Sequence, residues 1–179
     1  MKNDIERVLI SEEEISDKIR ELGSKISEEY KNKDLMLVGV LKGSVPFMAE
    51  LMKRIDIPCK MDFMAVSSYG NSSESSGVVR ILKDLDFEIE NKDVLIIEDI
   101  IDSGITLKYL VKYLKAKNPN SVEIACLLNK PERREVDIHV KYLGYDVPNY
   151  FLVGYGLDYA EKYRNLPYVG ILKEEVYKK

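Results

Sequence analysis

Apolar runs of strand length, each broken by a turn and followed by apolar residues at helical spacing, constrain this chain more than any other feature of its sequence. Leu35-Met36-Leu37-Val38-Gly39-Val40-Leu41 has no polar face, and such a strand has to be covered on both sides. Lys42-Gly43-Ser44 interrupts it, and Val45 to Met52 resumes at helical spacing, with Pro46 in a first turn whose amides lack intrahelical partners anyway. The pattern then recurs. Val94-Leu95-Ile96-Ile97 leads through Glu98-Asp99-Ile100-Ile101-Asp102-Ser103-Gly104-Ile105 into a helix predicted from about Thr106 to Lys117, with Leu107, Leu110, Val111 and Leu114 on one face. Val122 to Leu128 is a further strand. Strands alternating with helices predict an α/β fold with a mainly parallel sheet flanked by helices.

The flanking segments complete this frame. Ile15, Ile19, Leu22, Ile26 and Tyr30 recur at helical spacing, and Ser11-Glu12-Glu13-Glu14 fits a capping box at the start of that helix. Met61 to Tyr69 and Val78 to Leu82 read as strands joined by Gly70-Asn71-Ser72-Ser73-Glu74-Ser75-Ser76-Gly77. That stretch has no apolar residue to hold it down, and the sequence predicts a mobile connection, either linker or lid. Short strands are expected at Val140–Tyr145, Phe151–Tyr155 and Tyr168–Leu172, forming an edge or cap on the core. Among 179 residues there is one histidine, His139, so no site built on two histidines is available. Cys59 and Cys126 fit no metal spacing and read as small core residues in a reducing compartment, hence a cytoplasmic location. A net charge of −4 gives no general attraction to nucleic acid or to an anionic membrane. No apolar run is long enough to span a bilayer.

Chemistry concentrates between residues 98 and 106. A buried strand delivers Glu98 and Asp99 to its carboxyl end, where open α/β sheets bind ligands. Adjacent residues of a strand point to opposite faces, so the two acids cannot do identical jobs. Asp102-Ser103-Gly104-Ile105-Thr106 then turns into a helix, and the free amides of a helix start beside two hydroxyls make a phosphate cradle. Carboxylates next to such a cradle make sense if the ligand also carries hydroxyls or Mg²⁺, as a phosphorylated sugar does. A plain helix cap accounts for Asp102 or Ser103. It leaves the third carboxylate, Gly104 and Thr106 without a role.

Four apolar residues, two acids, two apolar residues, Asp, Ser, Gly, any residue and Thr: this pattern closely resembles the phosphoribosyl-pyrophosphate loop of the type I phosphoribosyltransferases. The Glu-Asp order with Ile-Ile-Asp is similar to the hypoxanthine-guanine branch. The resemblance covers about Leu35 to Leu172. It implies the family's fold, as one domain over 1–179 with a core at about 35–130 and a hood from the N-terminal segment and about 131–179. Leu41-Lys42-Gly43 resembles the pyrophosphate loop, where the bond before the lysine is often cis. Ser68-Tyr69 and the serine-rich loop resemble the lid that excludes water. By the same resemblance Lys130 donates to the exocyclic oxygen of a 6-oxopurine, a task suited to a group with donors only. Phe151 stacks on the base, the backbone of Leu152 reads its edge, Asp158 helps hold Mg²⁺, and Arg164 contacts pyrophosphate. Read alone, the Lys42 turn fits a solvated lysine equally well, and the other segments also read as a hairpin tip, a surface lysine, a core aromatic and a surface arginine. Some family members carry Thr at position 103, Lys at 105, Val at 152 and Asp at 165, where this chain has Ser103, Ile105, Leu152 and Asn165; no required group is lost.

The implied activity joins hypoxanthine or guanine to phosphoribosyl pyrophosphate, giving IMP or GMP and pyrophosphate with Mg²⁺. Glu98 and Asp99 hold the ribose hydroxyls, directly or through metal-bound water. Residues Ser103, Gly104, Ile105 and Thr106 hold the 5′-phosphate, and Asp102 accepts the N7 proton. The family commonly forms homodimers or homotetramers. Three other readings compete. A xanthine- or adenine-preferring branch shares the motif; Lys130 argues against adenine. A sugar-phosphate sensor that binds nucleic acid needs a basic face, which a sequence pI near 5.3 does not favour. A metal-dependent phosphatase leaves Lys42, Gly43 and Phe151 unused.

Overall fold

A computed structural model describes residues 1–68 and 79–178. Strand β1 (Ile5–Ile10) precedes helix α1 (Glu12–Glu29), which opens on the capping box expected at Ser11. The Ser11 amide donates to Glu14 Oε2 at 2.8 Å, and Ser11 Oγ accepts from the Glu14 amide at 3.2 Å. Next come β2 (Leu35–Leu41), α2 (Val45–Met52), β3 (Cys59–Ser68), β4 (Val79–Lys83), β5 (Asp93–Ile101), α3 (Ile105–Lys115) and β6 (Ser121–Asn129). The chain closes with β7 (Tyr142–Asp146), β8 (Leu152–Val153), β9 (Val169–Leu172) and the short helix α4 (Glu174–Tyr177).

Six strands form one sheet in the order β4-β3-β2-β5-β6-β7, parallel except for the β3–β4 pair. Its central strands bury both faces, and period-two alternation divides their side chains between two cores. Leu35 and Leu37, Leu95 and Ile97, and Ala125 and Leu127 face α1 and α2. Met36, Val38, Val94, Ile96, Ile124 and Cys126 face Leu107, Leu110 and Leu114 of α3. From β2 the chain crosses to β3 on one side, and β5 lies on the other, so the carboxyl ends of β2 and β5 flank a topological switch point. A second sheet, β1-β9-β8, is antiparallel and forms the hood.

Three boundaries differ from the sequence reading. β5 does not stop at Ile97: Glu98, Ile100 and Ile101 keep pairing with Cys126, Leu128 and Asn129 of β6, which holds the acids in extended backbone. Tyr142–Asp146 belongs to the main sheet, parallel to β6, and not to the hood, because its alternate apolar residues complete that sheet's edge. The strand expected over Phe151–Tyr155 is only Leu152–Val153, since Gly154, Tyr155 and Gly156 take positive φ of 95°, 49° and 99° and turn the chain out of the ladder.

Candidate active site

At the carboxyl end of β5, strand alternation puts Glu98 and Asp99 on opposite sides of the chain. The Asp99 amide donates to Glu98 Oε1 at 3.2 Å, and the Ile100 amide donates to Asp99 Oδ1 at 2.7 Å. The pair is half-buried at the strand's carboxyl end, each acid lining a cavity. Burial, with the Asp99 charge and the hydrogen bond between the two carboxyls adding to it, pushes the Glu98 carboxyl well above the usual range. Burial also raises Asp99, against the hydrogen bonds it accepts and the nearby Arg164 charge. Two acids so placed are short of positive charge and fit a ligand that brings it.

Past Ile101 the chain turns at Gly104, whose φ of 83° favours glycine, and α3 begins. Gly104 is the N-cap residue and has no side chain to cap with; of the two capping candidates, Asp102 and Ser103, only Ser103 bonds an opening amide among the described residues. The capping alternative for Asp102 therefore falls, and opening amides of α3 stay free for an anion. One is partly used: the Ile105 amide donates to Ser103 Oγ at 3.3 Å. The Ser103 carbonyl accepts from the Glu135 amide at 3.0 Å, which pins the turn from outside. A cavity of about 150 Å³ is lined here by Glu98, Asp102, Ser103, Gly104 and Thr106.

Asp102 and Ile100 also line a neighbouring cavity of about 620 Å³ with Asp99, Lys130, Phe151, Leu152, Asp158 and Arg164. Lys130 follows β6; its amide donates to the Ile101 carbonyl at 3.0 Å, and its buried side chain brings Nζ to 3.6 Å from Asp102 Oδ1. Arg133 Nε lies 3.7 Å from the same oxygen. Phe151 stacks on Tyr177 with ring centroids 4.6 Å apart. Leu152 is pinned by its pairing with Ile171.

Lys42 and Gly43 approach from the end of β2. The Leu41–Lys42 peptide is cis. A Cβ at position 43 would overlap the Asp99 carboxylate, so a larger residue there would displace that acid from its place against the turn. Lys42 Nζ is 2.9 Å from Glu161 Oε2, and Arg164 Nη2 donates to Glu161 Oε1 at 3.0 Å. The same guanidinium meets Asp158 at 2.8 Å and donates through Nη1 to the Gly156 carbonyl at 2.7 Å. Asp158 is thus paired with Arg164 and, among the described residues, joins no three-ligand cluster with Glu98 and Asp99. Ser68 ends β3 opposite Val79. Tyr69 and the Gly70–Gly77 segment lie outside the described residues.

Among the residues of the site that the sequence reading did not single out are Ile100, Arg133, Glu161 and Tyr177. Strand alternation carried past Ile97 would have flagged Ile100 as a residue of the strand's carboxyl end. Nothing local marks the other three, which reach the site through loops and the C-terminal segment.

A phosphoribosyl transferase domain model matches residues 10–160. The chain is 58% identical over 177 residues to a hypoxanthine-guanine phosphoribosyltransferase of Bacillus subtilis, covering 99% of this chain and 98% of that protein. At 58% identity over 177 residues it also matches a bifunctional protein TilS/HprT of Listeria monocytogenes, covering 99% of this chain and 27% of that longer protein. A crystal structure of a hypoxanthine phosphoribosyltransferase from Staphylococcus aureus superposes with a TM-score of 0.97 at 54% identity, covering 100% of this chain and 97% of that one.

Proposed function

This chain belongs to the phosphoribosyltransferase family, and on that premise we propose that it is a purine salvage enzyme that transfers ribose 5-phosphate from phosphoribosyl pyrophosphate to hypoxanthine or guanine. The observation that carries this reading is the meeting of Asp102, Lys130 and Phe151 in one cavity, which shares Asp102 and Ile100 with the cavity at the start of α3.

In the reaction the bond between C1′ and a pyrophosphate oxygen breaks, the C1′–N9 bond forms, and the N7 proton of the base passes to the Asp102 carboxylate. Charge development on the sugar is oxocarbenium-like, as in other glycosyl transfers. Ser103, Gly104, Ile105 and Thr106 bind the 5′-phosphate with amides and two hydroxyls. Glu98 and Asp99 hold the ribose 2′- and 3′-hydroxyls. Lys130, a donor only, binds the purine O6 and discriminates against the amino group of adenine. Phe151 stacks on the base and the backbone of Leu152 reads its edge. Lys42, Gly43 and Arg164 receive the pyrophosphate, exchanging Glu161 for it.

The donor set fits Mg²⁺. This ion is held by one or two carboxylates together with substrate phosphates and water, not by an all-protein cage. The half-buried Glu98–Asp99 pair would supply those carboxylates, with Asp158 on the Arg164 side. When bound, Mg²⁺ neutralises the leaving pyrophosphate.

We read 1–179 as one phosphoribosyltransferase domain that works in the cytoplasm as a homodimer or homotetramer; its partners are these small molecules, with neither nucleic acid nor membrane among them. A monomer mass by light scattering would remove the oligomer from this proposal.

Turnover with phosphoribosyl pyrophosphate and Mg²⁺ tests the function directly, with hypoxanthine, guanine, xanthine and adenine assayed in parallel. The expected result is turnover of hypoxanthine or guanine, none of adenine, and complete loss on chelation of Mg²⁺. No turnover of any base, with the sugar phosphate still raising the Tm, would refute the transferase assignment.

A further inference from the structure

The C-terminal segment is built into the base side of the cavity. The Lys173 amide, just ahead of α4, donates to the Asp4 carbonyl at 3.0 Å, and Val176 and Tyr177 pack on the cluster of Val153, Leu166 and Leu172. This anchoring lays Tyr177 against Phe151, with ring planes 26° apart and centroids 4.6 Å apart. Tyr159 meets the same Phe151 ring perpendicularly at 5.5 Å. Tyr177 also lines the cavity that holds Asp102 and Lys130.

The backbone of Phe151 is already held, since its carbonyl accepts from the Leu172 amide at 2.8 Å. That bond does not set the ring, which keeps its own side-chain torsions. A stacking platform binds well only if its plane is fixed before the base arrives, because ordering a loose side chain on binding subtracts from affinity. We infer that Tyr177 is a positioning residue for the purine: it fixes the plane of Phe151 and forms one wall of the base pocket. The inference rests on the assignment of Phe151 to the base under the proposed function. Tyr177 acts through Phe151, so its effect falls on the base and not on the sugar phosphate, whose proposed ligands, Lys42, Gly43, Arg164 and residues 98–106, do not include Phe151.

Steady-state kinetics of Tyr177→Ala, Tyr177→Leu, Tyr177→Phe and Phe151→Ala test this against the wild type. An aromatic pair of this kind corresponds to about a two- to tenfold change in affinity. Tyr177→Ala and Tyr177→Leu are therefore expected to raise KM for hypoxanthine by that factor with KM for phosphoribosyl pyrophosphate unchanged, and Tyr177→Phe to restore the wild-type value. Tyr177→Leu keeps an apolar side chain in place, so it reports on stacking even where Tyr177→Ala does not fold. An unchanged base KM in Tyr177→Leu, an equal rise for both substrates, or failure of Tyr177→Phe to restore the value overturns the inference. If Phe151→Ala raises the base KM while the Tyr177 variants do not, only this inference falls. If Phe151→Ala leaves it unchanged, the base assignment of Phe151 falls and this inference with it.

Discussion

Asp102 sits exposed at the mouth of the cavity, free of any capping bond, with Lys130 Nζ 3.6 Å and Arg133 Nε 3.7 Å from its Oδ1. Under the proposed function this carboxylate takes the proton of a base that Lys130 orients. Asp102→Asn keeps shape and removes the proton acceptor, so kcat should fall by roughly 10²–10⁴-fold, the usual span of a general base, with the fold unchanged. Single-turnover measurement checks this even if product release limits kcat; a wild-type chemical step would refute the proton-acceptor role. Lys130 should behave differently. Lys130→Ala should raise KM for the base more than KM for phosphoribosyl pyrophosphate, and equal effects on both would undo its assignment. Motif residues were legible because the required chemistry, acids beside hydroxyls and a glycine turn, is contiguous in sequence. Glu161, which binds both Lys42 and Arg164, was not, because nothing local distinguishes it from a surface carboxylate.

At the scale of the element, local chemistry predicted well where the interaction is itself local. The α1 capping box closes within four residues, and its spacing was readable as such. Ser11→Ala should cost about 1 kcal/mol, which for a domain of this size lowers Tm by roughly 2–4 °C. The hydrogen bonds from Ser11 hold the Glu14 carboxyl below its ordinary value of 4.5. A depressed acid stabilises the fold above its unfolded pKa and loses that contribution as pH falls through the folded one. The deficit of Ser11→Ala should therefore be full above pH 4.5 and shrink in more acidic solution; thermal melts across that range check it. Strand ends were less legible. β5 extends through two acids because β6 continues to pair with it, an interaction with residues about 28 positions away.

Over the whole molecule, the hood and the main sheet share one core. Ile10, Leu152, Val169 and Ile171 of the hood belong to the same apolar cluster as Leu35, Leu95 and Leu127 of the sheet. Ile171→Ala removes a side chain only 3% exposed, and truncation of that kind costs about 2–5 kcal/mol. Urea unfolding should shift to lower denaturant as a single transition with an unchanged m value. Two separate transitions would show that the hood unfolds alone.

The sequence by itself determined the α/β class, the parallel core strands, and the acid pair and glycine turn that lead from a strand into a helix. Each of these rests on periodicity or on groups close together along the chain. Tertiary structure alone decided that Tyr142–Asp146 joins the main sheet. It also closed Lys42 and Arg164 on Glu161 and laid Tyr177 on Phe151. The physical reason is the same in each case. These contacts join segments that no local propensity connects, and burial and charge pairing select them only after the strands and helices have packed.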